Sequence, residues 1–437
     1  MLRKYEYRRC LPHYQPDFKI FFVTFCTYQR GQLSERARKI VLEVRLRGNG
    51  VLFELLATVA MPDQVHLAPN PLSRSEGIIC LPEIMQAIKS TSAHRITGVR
   101  YPLRMDVVAL TRQLVDIESI TGNESGVGDA LYHELCRLGY QARKMPVEGA
   151  RFNVLATAPE EPHPTVVFST HMDTVPPFIP SSEDDEHVYG RGSCDAKGII
   201  AVQIAAAEEL RKEGIRVGLL FVVGEERDSQ GAKAANQQPI RARFLVNGEP
   251  TENRLAVASK GTLRIELTAS GRMAHSAYPE LGESAIDKLL VALTRLRAMP
   301  LPTTEGIGPC TFNIGLIEGG RAPNVIPDHA KAHLLYRLVG PTEALRRQIV
   351  ETVGDLAKVN FYLEIPFMRF RAIDGLPTMV AAFTTDIPAL TQWGEPLLSG
   401  PGSIHVAHTD GEYVEKKQLS QAVELYCAIA RKLVGGG

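Results

Sequence analysis

The 437-residue sequence predicts an α/β fold: a mainly parallel sheet covered by helices, an α+β block inserted into it, and a small α+β segment ahead of it. Three observations carry this reading. Continuous apolar runs such as TVVFSTHMD, VGLLFVVGEE and FLVNGEP are separated by long helical patterns, as expected of strands buried on both faces. After Lys260 the pattern changes to that of an α+β unit. The chain is also longer than one hydrophobic core usually serves, so two or three domains are expected.

The first hundred residues read as short strands (FKIFFVTFCTY, VLFELLATVAM) and amphipathic helices (SERARKIVLEVRL, LPEIMQAIKSTSAHRI). A new unit begins near Met105 with the helix MDVVALTRQLVDIES, stopped by Ser119, Thr121 and Gly122. NVLATAP and TVVFSTHMD are strands, IIAVQIAAAEELRKEG is a long helix, and VGLLFVVGEE is a buried strand. The inserted block holds TLRIELTASG, the helix SAIDKLLVALTRLRAM, TFNIGLIEGG, HAKAHLLYRLV, the helix TEALRRQIVETVGDLAK and NFYLEIPF. The chain then returns to the first sheet and ends in the helix QLSQAVELYCAIARKLV. Domains are accordingly expected at 1–100, at 105–260 with 372–437, and at 261–371 for a lid.

Composition excludes several classes. With 44% apolar and 22% charged residues the chain reads as a globular domain. No apolar run reaches the roughly 18 residues of a membrane span, and no secretory signal pattern opens the chain, so a cytoplasmic location is expected. Seven dispersed cysteines without a CxxC pair argue against a disulfide framework and a cysteine zinc finger. The net charge of zero hides an asymmetry: residues 1–100 carry 15 Lys/Arg against 8 Asp/Glu, the remainder 34 against 41.

Without a thiolate cluster, a borderline cation is held by imidazole and carboxylate. Five polar points follow apolar strands or sit in glycine-rich turns. In VVFSTHMDTVPP, His171 suits a metal ligand, with Asp173 on the same side of the chain to orient its ring; a surface histidine beside a carboxylate is the alternative. In YGRGSCDAKGII, glycines fold the backbone around Asp195, which bridges two cations or merely caps a helix. In LLFVVGEERDSQGA, one of Glu225 and Glu226 binds a cation while the other takes a proton from water, unless both lie on a solvated turn. Glu249 ends the strand FLVNGEP, and His405 and His408 share the loop GPGSIHVAHTDGEYV, where either imidazole suits. Cys194 is read as a small packing residue.

The ordered motifs HMDTVP, GRGSCDAKG, GEE, GEP, GRMAHSAYPE and AHTDGEY resemble those of the di-zinc aminoacylase and peptidase family. That family includes acetylornithine deacetylase, succinyl-diaminopimelate desuccinylase and carboxypeptidase G-type enzymes. The resemblance runs from about Met105 to the C-terminus. It implies a di-zinc exopeptidase-like fold, a lid that dimerises, and hydrolysis of the amide bond of a small N-acyl amino acid or peptide, with a slight lean toward acetylornithine deacetylase. It places His171 and Glu249 on one zinc and Glu226 and His408 on the other, with Asp195 between them and Glu225 as general base. Cobalt or manganese are alternatives to zinc. His275 matches a lid histidine that reaches a neighbouring subunit's active site and stabilises the developing oxyanion, and Asn324 matches a substrate-contacting asparagine. Arg337, in LLYRLV, holds a substrate carboxylate or is a plain strand residue.

The first hundred residues resemble the insertion-sequence tyrosine transposases through RRCLPHYQPDFKIFFVTFCTY, ATVAMPDQVHLAPNPL and EIMQAIKSTSAH. Gln64 replaces the first histidine of that family's metal pair while His66 remains, and the resemblance stops near Thr97, ahead of the helix that would carry the nucleophilic tyrosine. The expectation is a truncated, inactive remnant ahead of a hydrolase whose own start would be Met105; nucleic acid is not expected as a partner, the modest basic excess leaving room for weak binding at most. Two other classes stay open: a metal-inert binding protein on the same fold, and a DNA-binding transposase derivative.

Overall fold

The computed structural model describes residues 105–435 throughout. Ahead of them it describes Val41 and the strands Arg3–Tyr5, His13–Gln15, Val23–Cys26, Phe53–Ala60, Gln64–Pro71, Ser73–Arg74 and Gly77–Ile78. Two compact units result, Met1–Leu103 and Arg104–Gly437. In the first, Gln64–Pro71 is the middle strand of a three-stranded antiparallel sheet between Val23–Cys26 and Phe53–Ala60. Both strands expected from the sequence there are present, whereas the expected helices, Val41 apart, and the side chains of Gln64 and His66 lie outside the described residues.

The second unit opens with α1 (Val107–Val115), whose Asp106 cap accepts the Ala109 N–H at 3.0 Å. Helix α2 (Ser125–Arg137) follows. The sequence reading passed over it because Gly126 and Gly128 dilute its first turn; Gly128 is needed there, since a Cβ would meet the Phe152 ring at 2.9 Å. Strands β1 (Gln141–Glu148) and β2 (Arg151–Thr157) form a tight antiparallel hairpin, with Gly149 at φ +58° in the turn. Then come β3 (Val166–His171), α3 (Lys197–Lys212), β4 (Gly218–Val222) and β5 (Phe244–Asn247). Every residue of β3, β4 and β5 is buried, so the unbroken apolar runs reflect two covered faces. Helix α3 is buried on almost all sides, which its alanine-rich sequence permits.

The inserted block begins at β6 (Gly261–Ser270) and continues through α4 (Ala285–Ala298), β7 (Thr311–Gly319), β8 (His329–Leu338), α5 (Glu343–Val353) and β9 (Lys358–Ile365). Its antiparallel sheet has the order β7-β8-β6-β9. Residues of β8 alternate strictly between buried and partly exposed, so one face packs and the other stays open. Leu263, Ile265, Leu289, Leu293, Tyr336 and Ile349 form a core of their own, separate from that of the larger sheet. Each fully buried leucine there contributes roughly 1.5–3 kcal/mol.

The chain returns through β10 (Glu395–Leu398) and ends in α6 (Lys416–Gly435), which packs on α3. The large sheet has the order β10-β5-β3-β4-β2-β1. Its β10, β5, β3 and β4 are parallel, while β2 and β1 are antiparallel. The sheet is therefore mixed, its parallel part running from edge strand β10 to β4 and its antiparallel part forming the other edge. Strand β3 lies between β4 and β5, so crossovers leave it in opposite directions and open a crevice at its carboxyl end. Among the described residues no helix is long and apolar enough to cross a membrane.

Candidate metal centre

The crevice collects the polar strand ends. His171 is the last residue of β3, Glu225 and Glu226 follow β4, and Glu249 follows β5. Asp195 lies in the turn before α3 and His408 in the loop before α6. Asp195 is not the helix cap, which falls on Ala196 with no side-chain bond. Its two oxygens instead face two imidazoles, Oδ1 at 3.0 Å from His171 Nε2 and Oδ2 at 3.3 Å from His408 Nε2. His408 Nε2 is also 2.9 Å from Glu226 Oε1. One ligand atom each from His171, Asp195 and Glu226 lie within 4.8 Å of one another.

Both candidate histidines are exposed, but the His408 ring faces the acids, while the His405 backbone N–H donates to Ser403 Oγ. His408 also holds φ at +66°, a conformation costly for a residue with a Cβ and concentrated at functional sites. Glu249 is buried, and its Oε1 has no hydrogen-bond partner.

Asp173 does more than the sequence indicated. The His171 ring is oriented chiefly by the Asp173 backbone carbonyl, 3.0 Å from Nδ1, with Asp173 Oδ1 at 3.5 Å. The carboxylate itself accepts the backbone N–H groups of Gly224 (2.9 Å), Glu225 (3.1 Å) and Glu226 (3.2 Å), and the Thr121 hydroxyl (2.8 Å). Gly224 is at φ +80°, and a Cβ there would meet Arg151 Nη2 at 2.8 Å, so the turn requires glycine. Arg151 is held in turn by a buried bidentate pair with Glu124, at 2.8 and 2.6 Å.

Protonation follows from crowding. Burial pulls the His171 imidazole down, but hydrogen bonds from Asp173 and Asp195 outweigh it and hold it well above its ordinary value. Hydrogen bonding to Asp195 and Glu226 pushes His408 up to about 10. Burial drives the carboxyls of Glu225 and Glu249 well above the usual range and raises that of Glu226, with neighbouring acids adding to each. Burial opposes ionisation of Asp195 too, yet its imidazole partners keep it below the ordinary value. Four carboxylates gathered at buried His171 and the more exposed His408 lack, when ionised, the positive charge to balance them. The orphaned Glu249 oxygen and the nitrogen and oxygen donor set fit a divalent ion such as zinc, cobalt or manganese.

The remaining candidates lie elsewhere. His275 is exposed; its Nδ1 accepts the Ala277 N–H at 3.1 Å, and its backbone bridges to Val325. Asn324 is exposed on the adjoining loop, and its carbonyl accepts the Ser276 N–H. These two are thus brought to each other, not to the acidic cluster. Arg337 sits half-buried on the open face of the antiparallel sheet and donates to Thr262 Oγ1 at 2.9 Å. Among the described residues no carboxylate pairs with it. Cys194 is buried, its thiol donating to the Ser403 carbonyl.

Sequence reasoning missed two groups. Glu412 is a buried carboxylate bonded to Arg191 and to the turn that carries Asp195. Its signal was present in AHTDGEY, and the glycine-rich turn advertised amides in need of an acceptor. Asp386 is buried, and burial pushes its carboxyl up to about 7; TTDIPAL gave no cue.

A family model described as peptidase family M20/M25/M40 matches residues 167–432. A peptidase M20 domain-containing protein of Schizosaccharomyces pombe is 39% identical over 337 residues, covering 74% of this chain and 84% of that one. A probable carboxypeptidase of Aspergillus fumigatus is 36% identical over 415 residues, covering 82% and 93%. The crystal structure of aminopeptidase PepT from Bacillus cereus shares the fold, with a TM-score of 0.65 at 22% identity, over 76% of this chain and 99% of that one. Sequence match and crevice geometry agree, and the chain belongs to the metallopeptidases of family M20/M25/M40.

Proposed function

We propose that this metallopeptidase is a two-zinc hydrolase that cleaves the amide bond next to a free carboxylate, in a peptide's C-terminal residue or a small N-acyl amino acid. The observation that carries the reading is Asp195, whose two oxygens face His171 and His408 from opposite sides. His171 and Glu249 would hold one ion and Glu226 and His408 the other. Such ions supply Lewis acidity and a more acidic water. The chain's own contribution begins with Glu225, which takes the proton of the attacking water and returns it to the leaving nitrogen. Burial suits it to that exchange by making its carboxyl a better base. Asp173 fixes the turn on which Glu225 and Glu226 stand.

Arg337, with no carboxylate partner among the described residues, is the group we assign to the substrate's free carboxylate. Asn324 and His275, side by side on exposed loops, would complete the pocket from the inserted block, with His275 serving a second copy's site. Leu316 and Ile317, 64% and 56% exposed on edge strand β7, support dimerisation through that block. The name probable carboxypeptidase carried by the Aspergillus fumigatus relative favours the C-terminal peptidase over the acetylornithine deacetylase reading. We further infer that residues 1–100 are a separate transposase-like remnant; the MPDQVHL segment and the independent unit support this.

The test is a panel of dipeptides and N-acyl amino acids, each paired with its C-terminal amide. Cleavage of the free acids with the amides refused supports the assignment. Equal cleavage of both, or loss of discrimination nowhere in Arg337→Met, rejects it. Two bound ions without turnover of any amide would favour a binding protein on this fold.

A further inference from the structure

The turn carrying Asp195 is a nest of backbone amides, and its occupant is a side chain from the other end of the chain. Glu412 Oε1 accepts the N–H groups of Gly192 (2.9 Å), Cys194 (3.1 Å) and Asp195 (3.1 Å). Amides of one tight turn converging on a point in this way make an anion site. The other oxygen, Oε2, accepts Arg191 Nη1 at 2.6 Å, and both side chains are essentially inaccessible. Arg191 Nη1 also donates to the Thr409 carbonyl at 3.1 Å, next to His408, and its Nε to the Pro177 carbonyl at 3.3 Å. The Glu412 carbonyl accepts the Gly190 N–H at 3.0 Å.

One buried ion pair therefore fastens the Asp195 turn to the His408 loop, although the two lie more than two hundred residues apart in sequence. Burying a carboxylate this close to Asp195 is costly, and Arg191 with the three amides offsets that cost. A core that needed only packing would not place a second negative charge beside the first.

We propose that Glu412 is a positioning residue for metal binding: it presents Asp195 and His408 as one rigid unit. This rests on the two-metal reading above. The ion held by Glu226 and His408 depends on both tethered segments. The ion held by His171 and Glu249 depends only on Asp195. Loss of Glu412 should therefore weaken the two affinities unequally, which a merely structural role would not do.

The experiment titrates zinc and cobalt into the full-length protein against a competing chelator, and records the cobalt absorption spectrum, for wild type, Glu412→Ala and Glu412→Gln. Wild type is expected to bind two ions. Glu412→Ala is expected to lose 10–100-fold, the range typical of outer-shell partners, in the affinity of one of the two ions, the one assigned to Glu226 and His408, with a smaller change for the other and an altered cobalt spectrum. Glu412→Gln keeps one acceptor oxygen and should recover part of the loss; it also decides the matter if the alanine variant does not fold. Wild-type affinities and spectrum in Glu412→Gln, even with a lowered melting temperature, overturn the proposal. No uptake of either ion by wild type rejects the two-metal reading itself, and this assignment with it.

Discussion

Asp173 Oδ1 accepts the backbone N–H of Glu225 at 3.1 Å, so the end of strand β3 directly fixes the turn after its neighbour β4. The same carboxylate holds Gly224 and Glu226, and its backbone carbonyl orients His171. One residue thus sets the relative position of a ligand and the proposed base.

Asp173→Asn should accordingly damage metal binding and stability together. An amide cannot accept on both sides, and a buried N–H left without an acceptor costs about 1–3 kcal/mol. Metal affinity should fall 10–100-fold. Urea denaturation and chelator competition measure the two effects; unchanged metal affinity would show that Asp173 is only a strut.

Zinc uptake should release protons. The imidazoles of His171 and His408 are held above their ordinary values, His408 at about 10, and a histidine must be neutral to ligate. Because the raised values favour the protonated form, apparent affinity should rise with pH and keep rising up to about 10. Calorimetry in buffers of differing ionisation enthalpy should register release of at least one proton per site at pH 7.5. A pH-independent affinity would contradict the assignment of these histidines.

Asp386 gives a stability effect with a defined sign. Burial raises its carboxyl from 3.8 to about 7, so folding favours the protonated form. That advantage is complete below the unfolded-state value and is lost as pH rises through about 7. In the metal-stripped protein, Asp386→Asn should therefore match wild type near pH 4 and exceed it at pH 8 by on the order of 2–4 kcal/mol. Urea denaturation at the two pH values tests this, and an equal difference at both would contradict it.

The Arg151–Glu124 pair, buried beneath the Gly224 turn, should behave as a unit. Glu124→Gln alone strands a buried guanidinium and is expected to cost about 3–5 kcal/mol, whereas Glu124→Leu with Arg151→Met should cost less. Thermal denaturation of the two variants decides, and a double variant that loses as much as Glu124→Gln or more would argue against coupling.

The inserted block carries a test of assembly. Ile317 on edge strand β7 and Leu290 on α4 line one apolar cleft, and both are exposed by half or more. Ile317→Asp should sediment as a monomer at concentrations where wild type is a dimer. A monomeric wild type would remove the ground for His275 acting on a second copy's site.

What the sequence revealed and concealed has a physical pattern. His171, Glu225, Glu226 and Glu249 were legible because each ends a buried strand, where a polar residue has no packing reason to be. The parallel strands β3, β4 and β5 were legible from the same apolar runs. The antiparallel hairpin β1–β2 was not, because KMPVE and its exposed neighbours carry little apolar signal. Glu412 and Asp386 were hidden for a different reason. Their roles are set by backbone amides and charges that reach them only through the fold, and no local spacing encodes that. The double service of Asp173 was half-visible: its nearness to His171 is local, its grip on the Gly224 turn is not.

The most direct test of the central claim is Glu225→Gln, reconstituted with zinc beside wild type and assayed on the best substrate of the panel. Both proteins are expected to hold two ions per chain, with turnover reduced about 10²–10⁴-fold in the variant, the range for loss of a general base. Undiminished turnover at full metal content would contradict the role of Glu225, and failure of wild type to bind any ion would contradict the metal centre itself.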